Sequence, residues 1–256
     1  MKLLLKEPKK ARDIELTVKK DGLSLVRLSD EIEFHSKLQP VEFAGYLLAC
    51  LAGRSDQRLL DRDARYVYHG KELPAFVLVR PTSRGKGIEG SFGFRAVPAV
   101  ISCSNFDPVN PQSFDAVVTA VDVMQIFSAV SFEFPSQNGW TLIAGSLFIA
   151  KEGEKLILRC GGSEPAELTE PLRRILVHRL ARYLSGQYIS DEDERKFSPS
   201  FFNSNGILFN GRENARIRIH GITTPLSYQD VAALYLILRT VRGRETEEEI
   251  SESESS

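Results

Sequence analysis

An α+β protein, with antiparallel β-sheets and helices packed on them, is the fold class that the sequence predicts. Three observations lead there. Short stretches alternate apolar and polar residues and are closed by turn signals such as Asp21-Gly22. Fewer and longer stretches have the spacing of amphipathic helices, most plainly from Thr169 to Leu184. The chain has 256 residues, 42% of them hydrophobic, enough for a sizeable core in one large domain or two ordinary ones.

Asp13 to Val18, Leu23 to Leu28 and Glu31 to His35 read as strands, the first two joined by Asp21-Gly22. Pro40 opens a helical stretch that ends near Gly53, a residue able to take the left-handed conformation that stops a helix. A polar loop runs from Arg54 to Arg65, and Tyr66 to Ser104 is strand-like again, interrupted by the basic, glycine-rich loop Arg84 to Gly90. Asn110-Pro111 has the form of a helix start. Phe114, Val117, Val118, Val121 and Met124 would be its apolar face, although the many β-branched residues also suit a strand.

Trp140 to Ala150 reads as one strand, returned by Glu152-Gly153 into Lys155 to Cys160. On the helix from Thr169 to Leu184, Leu172, Leu176, Leu180 and Tyr183 share one face, with Arg174, His178 and Arg182 on another. Strands and a helix follow from Gly206 to Val241, where Ser227 and Asp230 have capping-box spacing. The folded region is thus expected over 1–243. Residues 244–256 are an acidic, serine-rich tail with too little apolar content to fold.

Two strand-and-helix units, 13–54 and 203–243, also resemble one another. Ile32, His35, Pro40, Leu51 and Arg54 align without gaps with Ile217, His220, Pro225, Leu236 and Arg239. A pseudo-twofold protein and a chance match of two strand-turn-helix segments both account for this.

Charge is uneven along the chain. It carries 33 basic and 34 acidic residues, and six glutamates lie at 245–256 with no lysine or arginine. Without those six, residues 1–244 stand at +5, which permits a polyanionic partner. The N-terminus lacks the apolar stretch of a secretory signal, and no apolar run approaches the roughly 20 residues of a membrane span. Cys50, Cys103 and Cys160 form neither a disulfide framework nor a metal motif, as expected of a cytoplasmic protein.

No catalytic constellation emerges. His35, His69, His178 and His220 have no partners at metal-ligand spacing, and no nucleophile-elbow pattern is present. The glycine-rich loop fails as a P-loop because Lys86 is followed by Gly87, and as a dinucleotide fingerprint because it leads into a strand. It remains either a basic hairpin for a phosphate backbone or a solvated turn. Just beyond it, Phe92 and Phe94 share one face of a strand among Arg80, Arg84, Lys86 and Arg95. Aromatic rings so placed either pack in a core or stack on unpaired bases, at about 1–3 kcal/mol per base, while the cations follow phosphates. Phe92-Gly93-Phe94 resembles the aromatic strand motif of RRM domains, from which Ser91 and Arg95 depart.

Val67-Tyr68-His69-Gly70-Lys71-Glu72-Leu73 resembles the basic-glycine-lysine strand motif of the Whirly family of single-stranded nucleic-acid-binding proteins. Phe201-Phe202-Asn203, then Glu213-Asn214 through Leu226 to Val231, is similar to that family's closing strands and helix. The resemblance implies two four-stranded sheets, each followed by a helix, an oligomer, and contacts through Tyr68 and Lys71. Glu72, the first 60 residues and the basic helix from Thr169 depart from the pattern.

The expectation is therefore a cofactor-free, largely sequence-independent binder of single-stranded DNA or RNA. Its contacts would be Tyr68, Lys71, Arg80, Arg84, Lys86, Phe92, Phe94 and Arg95. The acidic tail would compete for the basic surface or recruit a protein partner. The competing expectation is an interaction or assembly subunit of a larger nucleoprotein or viral complex.

Overall fold

The computed structural model describes residues 1–8, 13–55, 58–68, 70–82, 97–134, 139–187, 206–211 and 214–240. It divides into two compact units, Met1–Ser131 and Phe132–Ser256. All strand pairs are antiparallel, and no helix among the described residues is long and apolar enough to cross a membrane.

The first unit is an eight-stranded barrel, which the sequence reading did not anticipate. Its strands are β1 (Lys2–Lys6), β2 (Asp13–Lys19), β3 (Gly22–Arg27), β4 (Ile32–Ser36), β6 (Arg65–Tyr68), β7 (Lys71–Pro81), β8 (Ala99–Asn105) and β9 (Ser113–Val118). Each pairs with its neighbour in sequence, and Lys6 opposite Val117 closes the circle between β1 and β9. The short β5 (Leu59–Asp61) lies along β7 beyond the end of β6. It falls within the stretch expected to be a polar loop.

Alternation turns one side of every strand into the barrel. Ile14, Leu16, Leu25, Phe34, Tyr66, Val77, Val79, Ile101, Phe114 and Ala116 are all buried along these strands. Register confirms the shared face, since Leu16 opposes Leu25, Leu25 opposes Phe34 and Phe34 opposes Tyr66. At the start of β3, a Cβ on Gly22 would run into the Ser36 carbonyl, so only glycine fits that corner.

Helix α1 (Pro40–Leu51) follows β4 with proline in its first turn, and Gly53, at φ +65°, ends it. The N–H groups of Gly53 and Arg54 donate to the carbonyls of Cys50 and Ala49, the pattern of a Schellman close. α1 packs against α2 (Ala120–Ala129) and β8.

The expected helix start at Asn110-Pro111 is corrected: this dipeptide sits in a loop, and Ser113–Val118 is strand β9. Asp107 accepts the N–H groups of Val109 and Asn110, and the Asn105 amide clasps the same loop from the end of β8. The helix begins only at Thr119, whose hydroxyl caps Asp122 while the Asp122 carboxylate accepts the Thr119 N–H. Tertiary pairing of β-branched residues with β8 outweighs the local helix signal.

The second unit runs through β10 (Thr141–Ala144), β11 (Leu147–Glu152), β12 (Lys155–Cys160), β13 (Ala166–Leu168) and α3 (Glu170–Leu184). It continues with β14 (Ile207–Asn210), β15 (Arg216–Ile219), β16 (Ile222–Pro225) and α4 (Tyr228–Thr240). Trp140 to Ala150 is thus two strands rather than one, because Gly145, at φ +49°, turns the chain. β10 to β13 form one sheet and β14 to β16 another.

The two sheets repeat a pattern. Leu147 opposes Cys160 in the first and Ile207 opposes Ile219 in the second, so the β11–β12 and β14–β15 hairpins are equivalent. The Ser146 and Thr224 hydroxyls, 2.7 Å apart, link the β10–β11 turn to β16. Leu172, Leu176 and Leu180 of α3 are buried as expected, and α3 packs on α4. Arg173 fastens the pair, donating to the Leu238 carbonyl at 2.6 Å while held by Glu170. Ser227 and Asp230 form the expected reciprocal cap.

The two segments aligned as a repeat from sequence have different settings. Ile32 to His35 is a barrel strand leading into α1, whereas Ile217 begins a hairpin whose turn is His220-Gly221, both at positive φ.

Candidate nucleic-acid interface

Of the eight contact residues expected from sequence, Arg84, Lys86, Phe92, Phe94 and Arg95 lie outside the described residues, as does the tail. Tyr68, Lys71 and Arg80 are in the barrel. Tyr68 and Lys71 oppose one another at the β6–β7 turn. Tyr68 is 41% exposed and stacks on Tyr66, with ring planes 10° apart. Arg80 is nine residues along β7 from Lys71, about 30 Å at strand rise. It is on the opposite face and 3.9 Å from Asp115. The fold does not bring these three together. The two stretches that resemble the Whirly family also fall in different units, the first in the β6–β7 hairpin and the second in and before β15 to α4.

The second unit assembles a different set. In its four-stranded sheet, Leu147, Ile149, Leu156, Leu158, Cys160, Ala166 and Leu168 are buried on one face. Register places Leu142 opposite Phe148 and Phe148 opposite Arg159 on the other face. Leu142 is 56% exposed, and Trp140, Phe148 and Arg159 are half-buried. The Arg159 guanidinium sits 4.4 Å from the centre of the Trp140 ring and 5.0 Å from that of Phe148. Rings and cation hold one another by cation–π attraction. Lys155 and Glu167 are ion-paired nearby on this face, which raises the lysine pKa through its hydrogen bond to the carboxylate.

The three-stranded sheet repeats the theme without the rings. Ile207, Phe209, Ile217, Ile219 and Thr224 turn inward and are buried. Leu208, Arg218 and Thr223 form one row across the other face, and Asn210, Arg216 and Pro225 the next. Arg216, Arg218 and Asn210 are exposed. By hairpin equivalence Arg218 is the counterpart of Arg159, each preceding the last residue of its strand.

Sequence reasoning missed this set because Trp140 to Ala150 was read as one strand, which hides that Leu142 and Phe148 are cross-strand neighbours. The signal was present as Gly145-Ser146 between apolar runs, and as Arg-Cys-Gly-Gly and Arg-Ile-His-Gly ending two strands.

Little else in the described residues has the chemistry of a site. No group of three or more His, Cys, Asp or Glu side chains there is placed to hold a metal ion. All three cysteines are buried, and burial pushes the Cys50 thiol up to about 11, away from a reactive thiolate. His35 donates to Glu33 at 2.6 Å on the outer face of β4, and Ser24 binds the same carboxylate oxygen rather than the imidazole. That geometry is not a relay from a hydroxyl nucleophile through histidine.

The class of protein that fold and surface define is an antiparallel barrel joined in one chain to a strand-and-helix unit with arginine-bearing sheet faces. No protein-family model, curated protein or solved structure matches the chain.

Proposed function

We propose that the protein binds single-stranded DNA or RNA through the arginine-bearing sheet faces of its second unit, largely independently of base sequence. The observation that carries this reading is the row Leu142, Phe148, Arg159 with Trp140 beside it. Aromatic rings on an open sheet face stack with any base, and nearby cations follow the backbone. Arg216 and Arg218 extend the cationic lining onto the second sheet. The order of elements, four strands and a helix followed by three strands and a helix, supports the same reading. It is close to the architecture that the family resemblance implies.

The test is fluorescence anisotropy of labelled single- and double-stranded oligonucleotides with the full chain at low and moderate salt. Binding confined to the single strand and weakening steeply with salt is expected. Absence of binding at low salt would overturn the reading. Removing residues 245–256 is expected to strengthen binding, and unchanged affinity would remove the tail's competing role.

One observation favours the alternative, an assembly subunit. Val121 and Met124, one turn apart on α2, are 59% and 49% exposed, an apolar strip without a covering partner among the described residues. Light scattering separates the two readings, since a stable assembly lacking nucleic-acid affinity supports the subunit.

A further inference from the structure

We infer that Arg159 is a preorganised anion fork: two N–H groups of its guanidinium take two oxygens of one phosphodiester of the bound strand. This deepens the single-strand reading, on which it rests, by naming the group that seats the strand on the four-stranded sheet.

The argument begins with what Arg159 lacks. Other inward guanidiniums of the described residues are engaged. Arg27 donates to both Asp30 oxygens at 2.8 and 2.7 Å and to the Ser113 carbonyl at 3.1 Å. Arg173 donates to Glu170 and to the Leu238 carbonyl. Arg159 is half-buried, yet no carboxylate of the described residues lies within ion-pair distance, and its Nε is buried without a hydrogen-bond partner. A charged, hydrogen-bonding group withdrawn this far from water calls for an acceptor.

What Arg159 has is position. The ring centres of Trp140 and Phe148 lie 4.4 and 5.0 Å from its guanidinium carbon, so the plane is held before any ligand arrives. The ordering cost that a long side chain normally meets on binding is largely met in folding. With Nε closed off, the terminal Nη1–Nη2 edge remains, and its fork matches paired acceptor oxygens. Arg218 at the equivalent position is exposed, and no ring of the described residues lies against it, so its guanidinium is not held in advance.

Two acceptor pairs have this shape, phosphate oxygens and the N7–O6 edge of guanine. Phosphate is favoured because every nucleotide supplies one, as a largely sequence-independent surface requires.

The test exploits the fact that Trp140 is the chain's single tryptophan, so its emission reports on this spot alone. An oligothymidylate of about 15 nucleotides is titrated into the full chain while anisotropy and Trp140 emission are followed. It is expected to change the emission. Arg159→Lys, which keeps the charge and loses the fork, is expected to weaken binding about tenfold. Arg218→Lys should lose measurably less, and Arg62→Lys in the barrel unit nothing; circular dichroism checks that each variant folds.

Wild-type affinity in Arg159→Lys, or unchanged emission at saturation, overturns the fork while the single-strand reading stands. If Arg159→Lys loses only a preference for guanine-containing strands, the phosphodiester assignment is overturned in favour of a base edge. If no oligonucleotide binds, the single-strand reading falls, and inorganic pyrophosphate then decides on the fork. An emission change lost in Arg159→Lys sustains an anion site, and no change overturns it.

Discussion

The barrel and the strand-and-helix unit use aromatic and arginine side chains in opposite ways. In the barrel, Phe34 packs 5.2 Å from Tyr66 and 5.3 Å from Phe114, and all three are at most 4% exposed. Arg27 is buried over Phe114 and neutralised by Asp30. In the second unit Trp140 and Phe148 also flank an arginine, but half-buried and with no carboxylate of the described residues at ion-pair distance. Closing a sheet on itself leaves one face of every strand without water, so whatever alternates inward becomes core. In the second unit the same pairing of rings and arginine is only half-buried. How deeply an aromatic-arginine cluster is buried therefore differs between the closed barrel and the second unit's sheet, although the residue types are the same.

This contrast breaks first if core and surface aromatics behave alike. Phe34→Ala is expected to destabilise the barrel by about 3–5 kcal/mol, transfer and cavity costs together, read in a urea unfolding curve. Phe148→Ala should cost about 1–3 kcal/mol of oligonucleotide binding, roughly 5- to 150-fold in Kd. Its effect on unfolding should stay below about 1 kcal/mol. A large loss of stability with intact binding would make Phe148 another core residue.

The helix caps sharpen the comparison from the opposite side, because capping is local and independent of sheet closure. Thr119→Ala in the barrel unit and Ser227→Ala in the second should each cost about 1 kcal/mol by thermal or urea unfolding. A smaller effect follows for Arg218→Gln, which should reduce the steepness of the salt dependence of binding by about 0.7 in a log–log plot.

The smallest expected effect is one of pH. Hydrogen bonds from Arg173, with Arg174 adding to them, hold the Glu170 carboxylate at about 2, below its ordinary 4.5. A depressed carboxylate contributes stability that is fully present above the ordinary value and lost as pH falls toward the folded one. Wild type should therefore lose a small increment between about pH 4.5 and 2 that Glu170→Gln lacks. The carboxylate is 41% exposed, so solvent screening keeps this increment small. Parallel pH profiles for the two proteins would remove the contribution.

The elements that the sequence exposed most clearly were those whose signals are local. The helix from Thr169 appears as α3 because its leucines recur at helical spacing, and the Ser227–Asp230 cap forms because its partners are three residues apart. The turn at Asp21-Gly22 likewise needs only a glycine with room for the Ser36 carbonyl. The segment after Asn110 failed because its strand is held by β8 and β1, and no local rule announces distant partners. For the candidate site, the exposed arginines could be counted from sequence. That Arg159 lies beside Phe148 required the β11–β12 register, and that Trp140 reaches it required the turn at Gly145.

Sequence by itself determined the class, antiparallel strands with a few packed helices, and most element positions, since periodicity and turn chemistry act within a few residues. Tertiary structure decided that the first unit closes as a barrel and that the second forms two separate sheets. Both outcomes depend on which strands meet across long separations, as when Lys6 pairs with Val117. Such pairing is favoured by burial shared among many side chains at once, a collective free energy that no single stretch of sequence displays.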